Sequence, residues 1–186
     1  MRLFASALFA AFVFAAPASA ACDLTPTIGA PADRRAGQDV MITLEIGNRG
    51  DTACAGTLES STTGYMVDIF LSSDRNPPPS WADYSRTWRE DALLAGGRVS
   101  RTNSVAAGAS FRYGAPSYEI GPMTLPSGIP PGDYFLCAGV DLGNRIAESN
   151  ERNNVACNPL RILPVGRFVP SRPLPRPQPL PTPQPN

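Results

Sequence analysis

Three stretches of this chain alternate between apolar and polar residues with a period of two, which is the pattern of a half-buried β-strand. They cover residues 40–46, 64–72 and 132–141. Each stretch has one apolar face, formed in order by Val40, Ile42, Leu44 and Ile46, by Tyr65, Val67, Ile69 and Leu71, and by Tyr134, Leu136, Ala138 and Val140. We expect these stretches to be central strands that bury their apolar faces in one core.

Shorter strand candidates lie around them, at residues 22–29, 97–103, 110–114 and 153–163. Turn-forming residues interrupt the alternation at short intervals, and the region lacks the 3.6-residue period of amphipathic helices. Short strands without helices indicate an all-β fold. The sequence therefore predicts an antiparallel β-sandwich of about seven strands over residues 21–163.

The two ends of the chain differ from this domain. Residues 1–20 combine Arg2 with an apolar run and the small residues Ala18-Ser19-Ala20, which is the pattern of a secretory signal peptide. Residues 164–186 hold nine prolines and three arginines, and they predict a disordered, extended tail. We expect an exported protein, periplasmic or secreted, with no transmembrane segment.

Charge and residue content narrow the possible chemistry. The chain has 16 basic residues, 16 acidic residues and no histidine. The lack of histidine excludes His-dependent catalytic triads and His-ligated metal sites, and the balanced charge gives no basis for nucleic-acid binding. We expect no enzymatic activity. The alternative is a small carbohydrate-active enzyme that uses a carboxylate pair such as Asp68 with Glu90 or Asp91.

Four cysteines remain after the signal peptide: Cys22, Cys54, Cys137 and Cys157. An even number of cysteines in an exported domain predicts two disulfides, for which three pairings exist. Zinc binding is the alternative, but the chain has no C-x-x-C pair that would begin such a site.

Residues 125–154, LPSGIPPGDYFLCAGVDLGNRIAESNERNN, resemble the end of the CARDB domains, a bacterial family of cell-adhesion-related modules. The shared features are a Pro-Pro-Gly-x-Tyr turn, a strand that ends at an aspartate and a final Glu-x-Asn-Glu-x-Asn-Asn motif. The matching positions are Pro130, Pro131, Gly132, Tyr134, Asp141, Asn144, Glu148, Asn150, Glu151, Asn153 and Asn154. The resemblance extends over most of residues 22–163. It implies an immunoglobulin-like sandwich in an envelope or secreted protein, as an accessory module without activity of its own.

Residues 139–154 contain three acidic residues and four asparagines. We interpret most of this stretch as the connection between two adjacent antiparallel strands, in which polar side chains cap backbone groups. Gly143 would supply a positive φ, and Ile146 would attach the connection to the core.

Pairing of those two strands about residue 147 also determines the disulfides. It places Cys137 directly opposite Cys157, at a separation that a disulfide accepts. Cys22 is then left to pair with Cys54.

The alternative for the same stretch is a calcium site. Its candidate ligands are the oxygen donors Asp141, Glu148, Asn150 and Glu151. The stretch lacks the spacing of an EF-hand loop, so such a site would need loop carbonyls as further ligands. We therefore expect no required cofactor and keep Ca²⁺ as the alternative.

Between two strand candidates, residues 72–91 hold both tryptophans of the chain. Trp81, Tyr84 and Trp88 are spaced three and four apart, which would place them on one side of a short helical turn. Such an aromatic group could contact an envelope or extracellular protein or a glycan, or it could cover an edge of the sandwich. The sequence thus predicts a noncatalytic interaction or adhesion-type module. The alternative is a structural spacer with a proline-rich tether.

Overall fold

The computed structural model describes residues 21–76, 90–114 and 119–164. Within these residues, nine β-strands form: β1 (Leu24–Gly29), β2 (Asp33–Arg35), β3 (Asp39–Asn48), β4 (Val67–Ser72), β5 (Asp91–Val99), β6 (Ser110–Arg112), β7 (Glu119–Thr124), β8 (Gly132–Val140) and β9 (Val155–Leu163). The predicted signal peptide, residues 165–186 of the predicted tail, and Trp81, Tyr84 and Trp88 lie outside the described residues. No helix in the described ranges is long and apolar enough to cross a membrane.

The strands form two sheets. In the first, β3 pairs with β1, β6 and β7. The second has the order β5-β4-β8-β9-β2, and a pairing of Ala95 with Thr124 links β5 to β7. The neighbours β1-β3-β7 and β4-β8-β9 correspond to strands A-B-E and C-F-G of the immunoglobulin fold. The predicted immunoglobulin-like sandwich is therefore confirmed.

The core lies between the two sheets and follows the predicted alternation. Eleven of the twelve residues predicted to point inward are buried, and the twelfth, Tyr134, is partly buried against the same cluster. Burial of such side chains is the main favourable contribution to folding, at roughly 25 cal/mol per Å² of apolar surface. Phe70 faces the opposite way from Ile69 and Leu71 and is also fully buried, so β4 is covered on both faces.

The strand count and one pairing differ from the expectation. The structure has nine strands rather than about seven, and β2 pairs with β9 in parallel, whereas the other strand pairs of the described residues are antiparallel. β2 and β7 were not predicted. β2 is three charged residues long, and Gly121-Pro122 interrupts the alternation of β7, so neither gives a period-two signal.

Both disulfides form as predicted. Cys137 and Cys157 are directly opposed on β8 and β9, with their Cα atoms 4.0 Å apart. Cys22 and Cys54 have Cα atoms 5.2 Å apart and join the residues before β1 to the segment after β3. The arrangement differs from that of antibody domains, in which the conserved disulfide bridges strands B and F.

Candidate functional site

Residues 141–154 connect β8 to β9 and contain the acidic and amide side chains that the sequence singles out. Backbone hydrogen bonds hold both ends of this connection. The N–H of Val140 donates to the carbonyl of Asn154 at 2.8 Å, and the N–H of Asp141 donates to the carbonyl of Met66 at 2.9 Å. The connection therefore begins and ends at fixed positions of the sheet. Ile146 is partly buried against the core, as predicted.

Asp141 begins the connection and is 3% exposed. Its carboxylate accepts hydrogen bonds from the backbone N–H groups of Arg145, at 3.2 Å, and Ile146, at 2.8 Å. Burial raises the pKa of the Asp141 carboxyl above its ordinary value, while these two hydrogen bonds act in the opposite direction. Asp141 thus caps the turn that follows it.

The positive φ angles of the connection belong to Asp141 and Asn144, each at 48°. The expectation that Gly143 would supply one is wrong. Asp and Asn adopt this left-handed backbone more readily than other side-chain-bearing residues, because their short polar side chains bond to nearby amides.

Glu148 reaches from the connection to the first strand. Its carboxylate accepts hydrogen bonds from the backbone N–H of Leu24 and from the side-chain amide of Asn154, the latter at 2.9 Å. Burial, together with the nearby carboxyls of Glu151 and Asp141, raises the pKa of Glu148 to about 7. Glu148 is therefore a half-buried acceptor that joins parts of the chain more than 120 residues apart.

The two remaining candidates bond within the connection. One carboxylate oxygen of Glu151 accepts the backbone N–H of Glu148 at 2.9 Å, and the other lies 3.4 Å from the side-chain amide of Asn154. The side-chain oxygen of Asn150 accepts the N–H of Arg152 at 3.1 Å. All four residues predicted as calcium ligands thus accept hydrogen bonds from protein groups, which agrees with the capping interpretation.

The three acidic residues of this set, Asp141, Glu148 and Glu151, are not grouped so that they could hold a metal ion together. Across residues 21–76, 90–114 and 119–164, no group of three or more acidic, cysteine or histidine side chains is placed to hold a metal ion. A calcium ion would compete with the backbone and amide N–H groups that already donate to these oxygens. Calcium binding stays the alternative to the capping interpretation.

A groove of about 520 Å³ lies beside the connection. Its lining includes residues of both charges, Arg75, Arg152, Asp141 and Glu151. The two arginines were not singled out from the sequence, because only the folded chain brings residue 75 next to residue 152. The groove combines these charged residues with the apolar Leu142 and Val155, and its carboxylates already accept backbone or amide hydrogen bonds.

Asp68 and Asp91, one of the carboxylate pairs considered for catalysis, lie far apart along β4 and β5. Asp68 forms two hydrogen bonds with Arg98, at 2.7 and 2.8 Å. Asp91 pairs with Ser72 at the other end of β4, four residues from Asp68, which corresponds to about 13 Å along a strand. The two carboxyls of a glycosidase are closer together, at no more than about 9.5 Å.

The comparisons with known proteins concern mainly the fold. No protein-family model and no curated protein matches this chain. Solved structures do resemble it. The solution NMR structure of the CARDB domain of PF1109 from Pyrococcus furiosus has 18% sequence identity and a TM-score of 0.47, and the match covers 76% of this chain and 95% of that one.

A crystal structure of the same domain in complex with di-metal ions has 17% identity and a TM-score of 0.44, with 78% of this chain and 96% of that one covered. The chain is similar to CARDB domains. The resemblance predicted from the sequence is confirmed to that extent.

A β-glucosidase from Listeria innocua in complex with glucose also matches, at 13% identity and a TM-score of 0.37. The match covers 76% of this chain but only 16% of the glucosidase. The enzymatic activity is a property of that larger protein.

We predict that Glu148 makes the protein less stable as the pH rises from about 4.5 to about 7. In the unfolded chain its carboxyl ionises near the ordinary pKa of 4.5, whereas in the folded protein the pKa is about 7. The folded state therefore holds more protons than the unfolded state over this interval, so the stability falls as the pH rises and levels off once the folded state has also lost this proton.

The measurement is the urea midpoint of the wild type and of Glu148→Gln at several pH values between 5 and 8. The variant keeps a carbonyl oxygen for the Leu24 amide but does not titrate. Its stability relative to the wild type should increase up to about pH 7 and then stay constant. Parallel pH profiles for the two proteins would contradict this prediction.

We also predict that millimolar calcium leaves the melting temperature unchanged, because the oxygens of the predicted ligands already accept protein hydrogen bonds. The check is thermal unfolding of the mature protein with EDTA, with calcium, and with magnesium as a control. A ligand that binds only the folded state raises the melting temperature. A rise with calcium that EDTA reverses and magnesium does not reproduce would show that a site forms there.

Proposed function

We propose that this chain is a noncatalytic interaction module of an exported protein, which binds a protein or glycan of the cell envelope or the extracellular space. The observation that supports this most directly is that the two ends of the connection between β4 and β5 are paired with each other. Ser72 pairs with Asp91 at the ends of the two strands. One residue further, the N–H of Ser73 donates to the carbonyl of Glu90 at 3.0 Å. A rigid sandwich that holds both ends of a long connection is the usual setting for a binding loop.

This connection contains the aromatic residues that we assign to partner contact, Trp81, Tyr84 and Trp88. Tryptophan and tyrosine combine a large apolar surface with a hydrogen-bonding group, and they dominate the binding energy of many interfaces. Where the connection leaves β4, the guanidinium of Arg75 lies over the ring of Phe135, 4.9 Å from its centroid. That contact holds the Arg75 side chain against β8.

The noncatalytic part of the proposal is supported by how the described carboxylates are used. Asp68, Glu45 and Asp133 each form an ion pair with an arginine. Asp141, Glu148 and Glu151 accept hydrogen bonds from backbone or amide groups. These six acids therefore have partners within the domain, which supports a structural use for them.

The proposed location is the periplasm or the cell exterior. Disulfides form and persist in oxidising compartments, and both cysteine pairs of this chain are bonded. This agrees with the signal peptide predicted for residues 1–20.

The test is crosslinking of three forms of the mature protein in the native cell envelope, followed by quantification of the captured molecules. The forms are the wild type, the triple variant Trp81→Ala/Tyr84→Ala/Trp88→Ala, and a control, Met41→Ala/Leu58→Ala. Met41 and Leu58 are exposed apolar side chains, 40% and 52% accessible, so the control removes apolar surface elsewhere. Protease treatment and periodate oxidation of the envelope distinguish a protein partner from a glycan.

We expect a specific partner to be captured by the wild type and the control, and to decrease at least about tenfold with the triple variant, since interface aromatics contribute one or more kcal/mol each. Equal capture by all three forms would show that the aromatic residues are not the contact. No capture by the wild type would favour a structural spacer.

A further inference from the structure

β1 and β2 are the two ends of the strand path of this sandwich. An outer strand presents unpaired N–H and C=O groups, which can pair with a strand of another molecule. The register shows which groups of β1 face outward. The N–H of Arg49 donates to the carbonyl of Asp23 at 2.8 Å, so Asp23 and every second residue after it face β3, and the backbone groups of Leu24, Pro26 and Ile28 face away.

The connection between β8 and β9 occupies the first of these outward groups. The N–H of Leu24 donates to the carboxylate of Glu148. Just before the strand, the outward carbonyl of Cys22 accepts the N–H of Ser149 at 2.8 Å. Residues 148 and 149 therefore lie along the edge of β1 where another strand would add.

Two further positions on this edge are protected by different means. Pro26 has no N–H to offer. The carbonyl of Ile28 accepts the side-chain amide of Asn158, from β9, at 2.7 Å. Neither residue belongs to the acidic motif, and Asn158 could not be linked to β1 before the structure was known.

The other end of the strand path is closed in a similar way. The N–H of Arg35 on β2 donates to the side-chain oxygen of Gln38 at 2.8 Å, and the carbonyl of Arg35 accepts the N–H of Gln38 at 3.2 Å. The carbonyl of Asp33 accepts the guanidinium of Arg34 at 2.9 Å. Both outer strands thus have side chains bonded to backbone groups that would otherwise be open to pairing.

We infer that these contacts close the sandwich against strand addition, and that without the closure at β1 the domain pairs edge to edge with a second copy of itself. β1, with the sequence LTPTIG, has no charged residue. Charged side chains on an edge are a common protection against such pairing, so β1 depends on groups from other elements. A second copy is the natural partner, because two identical antiparallel edges pair symmetrically about a two-fold axis. This inference is independent of the proposed function.

The test uses full-length mature protein and sedimentation equilibrium at several concentrations. The edge-opened variant is Pro26→Val/Glu148→Ala/Asn158→Ala. Pro26 is buried on the core side, and valine keeps an apolar side chain there while restoring the backbone N–H. The control is Asn150→Ala, which removes a side chain of the same connection that bonds only to Arg152 among its described contacts.

A second variant, Pro26→Val/Asn158→Ala, keeps Glu148 and therefore keeps the connection attached to β1. Near-ultraviolet circular dichroism and intact disulfides show whether the triple variant folds. If it does not, the mass of this second variant at sedimentation equilibrium is compared with that of the wild type instead. Hydrogen exchange at residue 26 locates the association, because a strand of the second copy would accept the backbone amide that the valine introduces there, and the protection of this amide would then rise with protein concentration.

We expect the wild type and Asn150→Ala to show the same mass. The edge-opened variant should approach twice that mass as its concentration rises, with a protected amide at residue 26. A folded variant with the mass of the wild type at every concentration would overturn the inference. Association of the control to the same extent, or association without protection of the amide at residue 26, would do so as well.

Discussion

The hydrogen bond from the backbone N–H of Leu24 to the carboxylate of Glu148 connects the first strand of this sandwich to the connection between its last two strands. It forms only if β8 and β9 pair in the observed register, because that register places the ends of the connection. The carboxylate is half-buried near two other acids, and its raised pKa shows that the ionised form is disfavoured there. The fold tolerates that cost because the same group satisfies an outward-facing amide of an outer strand.

The two disulfides reinforce the same parts of the molecule. Cys137–Cys157 fixes β8 against β9, and Cys22–Cys54 fixes the residues that lead into β1. Leu24 therefore lies two residues from one disulfide, and the other disulfide joins the two strands that the Glu148-bearing connection links. The polar motif and the cysteines together attach the ends of a two-sheet domain to one another.

The sequence predicted the parts of this architecture that have a regular pattern. The alternation in residues 40–46 identified β3 and its buried face, and the expected pairing of two strands about residue 147 identified the Cys137–Cys157 disulfide. It did not predict β2, which has three residues and is held by its parallel pairing with β9. It also assigned caps to the polar connection without identifying their partners, since Leu24 and Glu148 become neighbours only through the complete fold.

The most direct test of this account is the hydrogen exchange rate of the Leu24 amide in the wild type, Glu148→Gln and Glu148→Ala, with the Tyr113 amide as an internal reference. Tyr113 donates to the carbonyl of Leu44 at 2.9 Å, within a different part of the sandwich. The account predicts slow exchange at Leu24 in the wild type and in Glu148→Gln, exchange at least about tenfold faster in Glu148→Ala, and an unchanged rate at Tyr113. Equal protection of Leu24 in all three proteins would contradict it.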